Sequence, residues 1–223
     1  MEQQRPQQLL VGAGGLISHV APALARKGVG AITVRDDDEV EASNLNRQFF
    51  LAEDVGYNKA DALVARLAAV CTAPATLTAV PLRLEDALRA GVPLRADVAV
   101  VGVDNNPARV LASRHFRAIG VTAVFCAVSA DADHGFALVQ EAGGPCPACL
   151  HPDAADDARH PCPGTPAALD ILQAVGAIAT YAVDSCLMAR PRSWNYRRLS
   201  MAYPAADGAT FLRRREGCRL CGD

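Results

Sequence analysis

The sequence predicts an α/β fold: a mainly parallel, Rossmann-like sheet continued by antiparallel strands. Two features predict it. Residues 8–12, 16–27 and 30–35 read as strand, helix and strand, with Gly12, Gly14 and Gly15 at the first strand-to-helix turn. Beyond that βαβ unit, short apolar strands keep alternating with helical stretches, the pattern that builds a parallel sheet with helices packed on it.

Each element follows from local pattern. Leu9-Leu10-Val11 is a buried strand, and the helix behind the glycine turn runs to Lys27 and stops at Gly28. Ile17 stands where a dinucleotide fold usually has a glycine, and is expected to narrow the turn. After the second strand, Phe49-Phe50-Leu51 is an apolar anchor, and Gly56 to Lys59 opens a helix to about Val70. Residues 75–80 alternate as a strand, 85–90 form a short helix, and 97–103 are a continuous apolar strand that ends at Asp104-Asn105-Asn106-Pro107. A helix from Pro107 to Ala118, strands at 121–129 and 135–140, a polar loop at 151–166, a long helix at 167–188 and strands at 196–201 and 209–213 complete the chain. A length of 223 residues with 51% hydrophobic content suits one domain, and there is no repeat and no long linker.

The chemistry gathers around the second strand. Asp36 and Asp38 follow its apolar run, and Asn44, Arg47 and Gln48 come within a dozen residues. A carboxylate suits ribose hydroxyls, a cation and amides suit phosphates, and the helix N-terminus behind the glycine turn adds amide donors. Asp104 lies just past the C-terminal end of a buried strand, the edge where open α/β sheets bind ligands. It is a candidate Mg²⁺ or phosphate-edge residue, or else a helix cap, a role that Asn105 or Asn106 fills equally well. Lys59 is either an ordinary helix N-terminal residue or a functional one, and a cation at the positive end of a helix favours the second. Arg47 has Glu53 and Asp54 as alternative partners.

Composition excludes other classes. A net charge of −2 gives no electrostatic reason to bind nucleic acid or an anionic membrane. No apolar run reaches the roughly 20 residues that span a bilayer, and the polar start Met1-Glu2-Gln3-Gln4-Arg5-Pro6 has no signal-peptide character, so a cytoplasmic protein is expected. Of eight cysteines, Cys146/Cys149 and Cys218/Cys221 form two Cys-x-x-Cys pairs in turn-like settings. Four thiolates suit a closed structural Zn²⁺ site; redox pairs are the other reading. Cys71, Cys126 and Cys186 lie in apolar segments and are expected to be buried. Cys162, between two prolines and next to Arg159 and His160, is either a nucleophile or an incidental loop cysteine.

With these residues in view, the chain resembles the ThiF/MoeB/HesA group of ubiquitin-activating-type adenylyltransferases, which includes the sulfur-carrier activators of thiamine and molybdopterin synthesis. The likeness runs from about Leu9 to Cys221 and rests on Gly12-x-Gly14-Gly15, Asp36-x-Asp38, the run from Glu41 to Gln48, Gly56 with Lys59, Asp104-Asn105 and both cysteine pairs. It implies one domain over 1–223, with a nucleotide-binding half at 1–130 and a carrier-binding half at 131–223 that holds a crossover loop near 151–166 and the zinc site. It further implies ATP and Mg²⁺ as cofactors, Asp36 as ribose ligand, Asn44, Arg47 and Lys59 as triphosphate ligands with Gln48 beside them, and Asp104 linked to Mg²⁺. The implied reaction is attack of a protein's C-terminal glycine carboxylate on the ATP α-phosphorus, releasing pyrophosphate. The expected partners are a small β-grasp protein ending in Gly-Gly, a second copy in a homodimer, and a separate sulfur donor or conjugating enzyme. Cys162 corresponds to the crossover-loop cysteine that in some members bonds to the activated carrier. Adenylation of a short peptide C-terminus, or a non-catalytic binding role, are the alternatives.

Overall fold

The computed structural model describes residues 5–152 and 169–222. Its eight strands form one sheet. In chain order these are β1 (Gln7–Val11), β2 (Ala31–Arg35), β3 (Thr76–Val80), β4 (Val98–Val101), β5 (Thr122–Val128), β6 (His134–Gln140), β7 (Tyr196–Ser200) and β8 (Gly208–Thr210). Across the sheet the order is β3-β2-β1-β4-β5-β6-β7-β8. Pairing is parallel from β3 through β5 and antiparallel from β5 through β8, so the expected mixed sheet is present. The chain winds outward from β1 to β2 and β3, then returns to lay β4 on the other side of β1. That reversal opens a crevice at the C-terminal ends of β1 and β4.

Helices cover both faces. The helices α1 (Ile17–Arg26), α2 (Lys59–Ala68) and α6 (Leu169–Leu187) pack on one side, around Leu10, Val20, Ile32, Leu63, Val100 and Val175. On the other, α3 (Leu84–Arg89) and α4 (Asn106–Ala118) close over Leu9, Val11, Val101 and Phe116. A one-turn helix, α5 (Pro147–Leu150), lies between β6 and α6. Because β4 and β5 are buried on both faces, they read as long apolar runs, as strands inside a parallel sheet do, and β1 does so from Leu9 to Val11 after Gln7 and Gln8.

Three elements differ from the sequence reading. The helix expected from Gly56 begins at Lys59, because the Asn58 side chain accepts from the Ala60 and Asp61 amides and caps it there. The last strand is shorter, ending at Thr210. Beyond it the Asn195 side chain stands in for a backbone partner, accepting from the Leu212 amide at 2.7 Å and donating to the Leu212 carbonyl at 2.9 Å. α5 occupies what reads as a turn, with Pro147 at its first position, where a missing N–H is harmless. Cys126 is buried as expected, whereas Cys71 and Cys186 are only half-buried.

Candidate nucleotide site

The crevice holds a cavity of ≈ 400 Å³. Its floor is the turn after β1. Gly12 has φ +98°, and a Cβ there would lie 3.1 Å from the Gly102 carbonyl oxygen, so the position needs glycine twice over. Nothing lies within 4 Å of a Cβ built on Gly14, which leaves open space above the turn. Gly15 serves packing instead: its Cβ would meet Leu172 of α6 at 3.0 Å. Ile17 does not narrow the turn. Fully buried, it extends under Gly102 at the end of β4, and that glycine makes the room.

At the end of β2, the Arg35 carbonyl accepts from the Gly12 amide at 2.8 Å, and the chain then presents Asp36. The Asp36 carboxylate is clamped between two loops, with Oδ2 accepting from the Ala13 amide at 2.6 Å and Oδ1 from the Asp38 amide at 2.9 Å. Burial pushes its pKa up, while the two amides and the Lys59 charge pull the other way. A carboxylate has about four lone-pair positions, so two remain for ligand hydroxyls.

Lys59 opens α2, yet its ammonium turns back to Asp38 Oδ2 at 2.9 Å, which offsets the unfavourable helix end. The same junction is fastened by Asn58, whose amide donates to the Asp36 and Asp38 carbonyls. Asn44, buried in the following turn, accepts from the Glu41 amide at 3.0 Å. Arg47 donates to the Ser43 carbonyl at 2.6 Å and to Asn46 Oδ1 at 2.8 Å. The Arg47 carbonyl takes a bond from His19 Nε2 at 3.2 Å, tying this turn to α1; burial lowers the His19 pKa, consistent with a neutral ring. Gln48 Oε1 is buried without a hydrogen-bond partner among the described residues. Glu53 and Asp54 do not engage Arg47. Both pair with Arg66, at 2.6 and 2.9 Å.

Across the cavity, Asn105 caps α4 by accepting from the Ala108 amide at 2.9 Å, and its NH₂ donates to Asp104 Oδ1 at 3.3 Å. The capping role thus falls to Asn105, and Asp104 is left exposed at the rim. Of the residues singled out from sequence, Gly12, Gly14, Asp36, Asp38, Asp104 and Asn105 line the cavity. Lys59 is joined to it through Asp38, and Asn44, Arg47 and Gln48 form the neighbouring turn. Cys162 lies outside the described residues. Sequence reasoning missed the fourth wall, Leu82 to Glu85, where Arg83 pairs with Asp37 at 2.8 Å. Its position just past a parallel strand is the signal that finds it.

Far along the chain, both cysteine pairs converge. Cys146 Sγ lies 3.8 Å from Cys149 and 3.6 Å from Cys218, and Cys149 lies 3.4 Å from Cys221. A tetrahedron with metal–sulfur bonds of about 2.3 Å has edges of about 3.8 Å. The four thiols could hold a Zn²⁺ ion, and the Arg215 amide approaches Cys149 Sγ at 3.4 Å as an outer partner.

The ThiF family model matches residues 3–209. The SAMP-activating enzyme E1 of Haloferax volcanii is 32% identical over 96% of this chain and 80% of its own length. The sulfur carrier protein adenylyltransferase of Thermus thermophilus is 32% identical, covering 99% and 83%. The sulfur carrier protein ThiS adenylyltransferase of Escherichia coli is 30% identical, covering 97% and 86%. Among solved structures, E. coli MccB with ATP superposes with a TM-score of 0.79 at 19% identity over 98% of this chain and 67% of that one, a likeness of fold. Relatives that match nearly end to end are thus activating enzymes and adenylyltransferases, and this chain is an enzyme of that kind, a member of the ThiF family.

Proposed function

We propose that the chain adenylylates the C-terminal glycine carboxylate of a small ubiquitin-like or sulfur-carrier protein at the expense of ATP, releasing pyrophosphate. One observation carries the reading: the open glycine turn has the clamped Asp36 carboxylate on one side and the uncapped, exposed Asp104 on the other, around a cavity of nucleotide size.

Each residue then has a task. Asp36 accepts from ribose hydroxyls, and the backbone from Gly12 to Gly15 lets phosphates approach the start of α1. Leu82, Leu84, Val103 and Ala108 supply an apolar slot for the base. Lys59 and Arg47 bring positive charge toward the triphosphate; their present partners, Asp38 and backbone oxygens, hold them ready and are exchanged for phosphate oxygens. Asp104 would hold a Mg²⁺ ion, whose chemistry is to offset charge on the phosphates. No covalent step by the enzyme is needed for the first reaction: the carrier's carboxylate oxygen bonds to the α-phosphorus while the bond to pyrophosphate breaks, and alignment supplies most of the catalysis.

The partner class rests on the relatives, one named for activating SAMP and two for adenylylating sulfur carriers. Zinc held by the four cysteines would fasten the C-terminal segment to α5. A homodimer, a separate sulfur donor or conjugating enzyme, and transfer of the acyl group to Cys162 with loss of AMP complete the proposal. A second reading, adenylation of a short peptide, is favoured by the fold shared with MccB, solved with MccA at a TM-score of 0.80. The same cavity serves either substrate.

Intact-mass spectrometry tests this. Wild type and Cys162→Ala are mixed with ATP, Mg²⁺ and a β-grasp carrier ending in Gly-Gly. A carrier that gains an adenylate mass with both supports the reading, and an enzyme–carrier adduct in wild type alone assigns Cys162 a covalent role. A carrier that stays unmodified, with a short peptide adenylated instead, replaces the first reading by the second.

A further inference from the structure

The C-terminal edge of the sheet carries a second cavity, of ≈ 310 Å³. Its base is aromatic: the Phe136 ring lies 5.8 Å from both Tyr196 and His151. Around that base stand Ser129, His134 and Arg198, and no carboxylate is among the lining residues. The nearby acids are engaged with cavity residues: Asp133 meets His134 Nδ1 at 2.5 Å, and Asp131 accepts from the Ser129 hydroxyl. Arg198 has no ion pair among the described residues, and its Nε is buried without a hydrogen-bond partner there. A guanidinium so placed, against aromatic rings and short of an anion, suits a planar carboxylate, which it can bind through two parallel hydrogen bonds.

The two cavities are neighbours. Gly102 and Val103, just past β4, line the first; Ala127 and Val128, at the end of β5, line the second. β4 and β5 pair in parallel with Val101 opposite Phe125, so these edges lie about one strand spacing, ~4.8 Å, apart. Arg109 of α4 belongs to both surroundings: its guanidinium donates to the Val103 carbonyl at 2.7 Å, and its charge, after burial, lowers the His151 pKa.

We propose that this second cavity receives the side-chain carboxylate of an Asp or Glu near the C-terminus of the polypeptide substrate, with Arg198 as its main partner. The inference rests on adenylylation in the first cavity. The lining strands β5, β6 and β7 lie about one to three spacings from β4. An extended chain advancing ~3.4 Å per residue therefore places the acidic residue roughly one to four positions before the terminal glycine.

Binding and chemistry are read separately. Fluorescent decapeptides ending in Gly-Gly, with Glu, Gln or Lys at the third, fourth or fifth position from the end, are made with a free or an amidated C-terminus. Anisotropy of the amidated set reports the side chain alone, since no terminal carboxylate remains. Wild type is expected to bind at least one Glu peptide tenfold or more tightly than its Gln and Lys counterparts. Arg198→Gln should abolish that preference and Arg198→Lys keep part of it, with the affinity for ATP unchanged in both. Equal binding of Glu, Gln and Lys peptides, no binding of any amidated peptide, or an unaltered preference in Arg198→Gln would overturn the proposal. ATP–pyrophosphate exchange with the free-acid peptides tests adenylylation: Glu-selective binding without exchange refutes the activity and leaves the cavity's preference standing.

Discussion

Gly102 and Ile17 fit one another as socket and plug: a Cβ on Gly102 would fall 2.8 Å from Ile17 Cγ1 and 3.0 Å from Cδ1. Ile17 begins α1, and Gly102 follows β4 and lines the candidate nucleotide crevice, so this contact packs the start of α1 against that strand end. Gly102→Ala should overpack the contact and cost about 1–3 kcal/mol in denaturant unfolding. Ile17→Ala should cost about 2–5 kcal/mol through the cavity it leaves. The double variant should recover part of the sum, giving a coupling of about 1 kcal/mol or more. Strict additivity would mean that the two residues do not share the space.

The ribose role proposed for Asp36 makes a second prediction. Asp36→Ala removes the acceptor shared by the Ala13 and Asp38 amides. Isothermal titration should show ATP affinity falling tenfold or more, in keeping with the ~1.5–3 kcal/mol of a charge-assisted hydrogen bond. An unchanged affinity would place the nucleotide elsewhere.

The pair formed by Asp54 and Arg66 predicts a response to acid. Burial raises the Asp54 pKa, but bonds from Arg66 and from the Leu51 amide outweigh it, and the folded-state value lies below the ordinary 3.8. The stabilisation is therefore present above pH 3.8 and is lost as pH falls through the lower folded-state value. Arg66→Gln should narrow that difference, so stability should fall less steeply with acid than in wild type when circular dichroism follows unfolding below pH 4. Equal acid profiles would remove the pair from the balance.

Zinc gives a fourth. Elemental analysis should find about one zinc per chain in the wild type and none in Cys146→Ser. A structural metal worth even ~3 kcal/mol implies a fall in Tm of roughly 6–12 °C in the variant. A metal-free wild type of unchanged Tm would contradict a structural zinc.

Much of this was legible in the sequence, for physical reasons that differ by element. Strands β4 and β5 are buried on both sides and so carry long apolar runs that stand out, and Leu9 to Val11 of β1 form a shorter one. Asp36 and Asp104 were found because each follows such a run, where a carboxylate has no packing purpose. The Leu82–Glu85 wall stands out only by its place just past β3, since leucine and charged residues running into the short helix α3 look like any other strand-to-helix connection. In sequence the arginine nearer to Asp54 is Arg47, but α2 brings Arg66 to that carboxylate, a pairing that only the fold decides. The second cavity is built from residues 127 to 198 on three paired strands, and no local pattern announces it.

The most direct test of adenylylation is carrier-dependent ATP–pyrophosphate exchange, comparing wild type with Asp104→Ala. Asp104 is exposed and its neighbour Asn105 caps α4, so the variant should fold and keep its Tm. The expected result is exchange in wild type only when a carrier with an intact C-terminal glycine is present, falling about 10²–10³-fold in the variant. Equal exchange by both proteins would contradict the role given to this site.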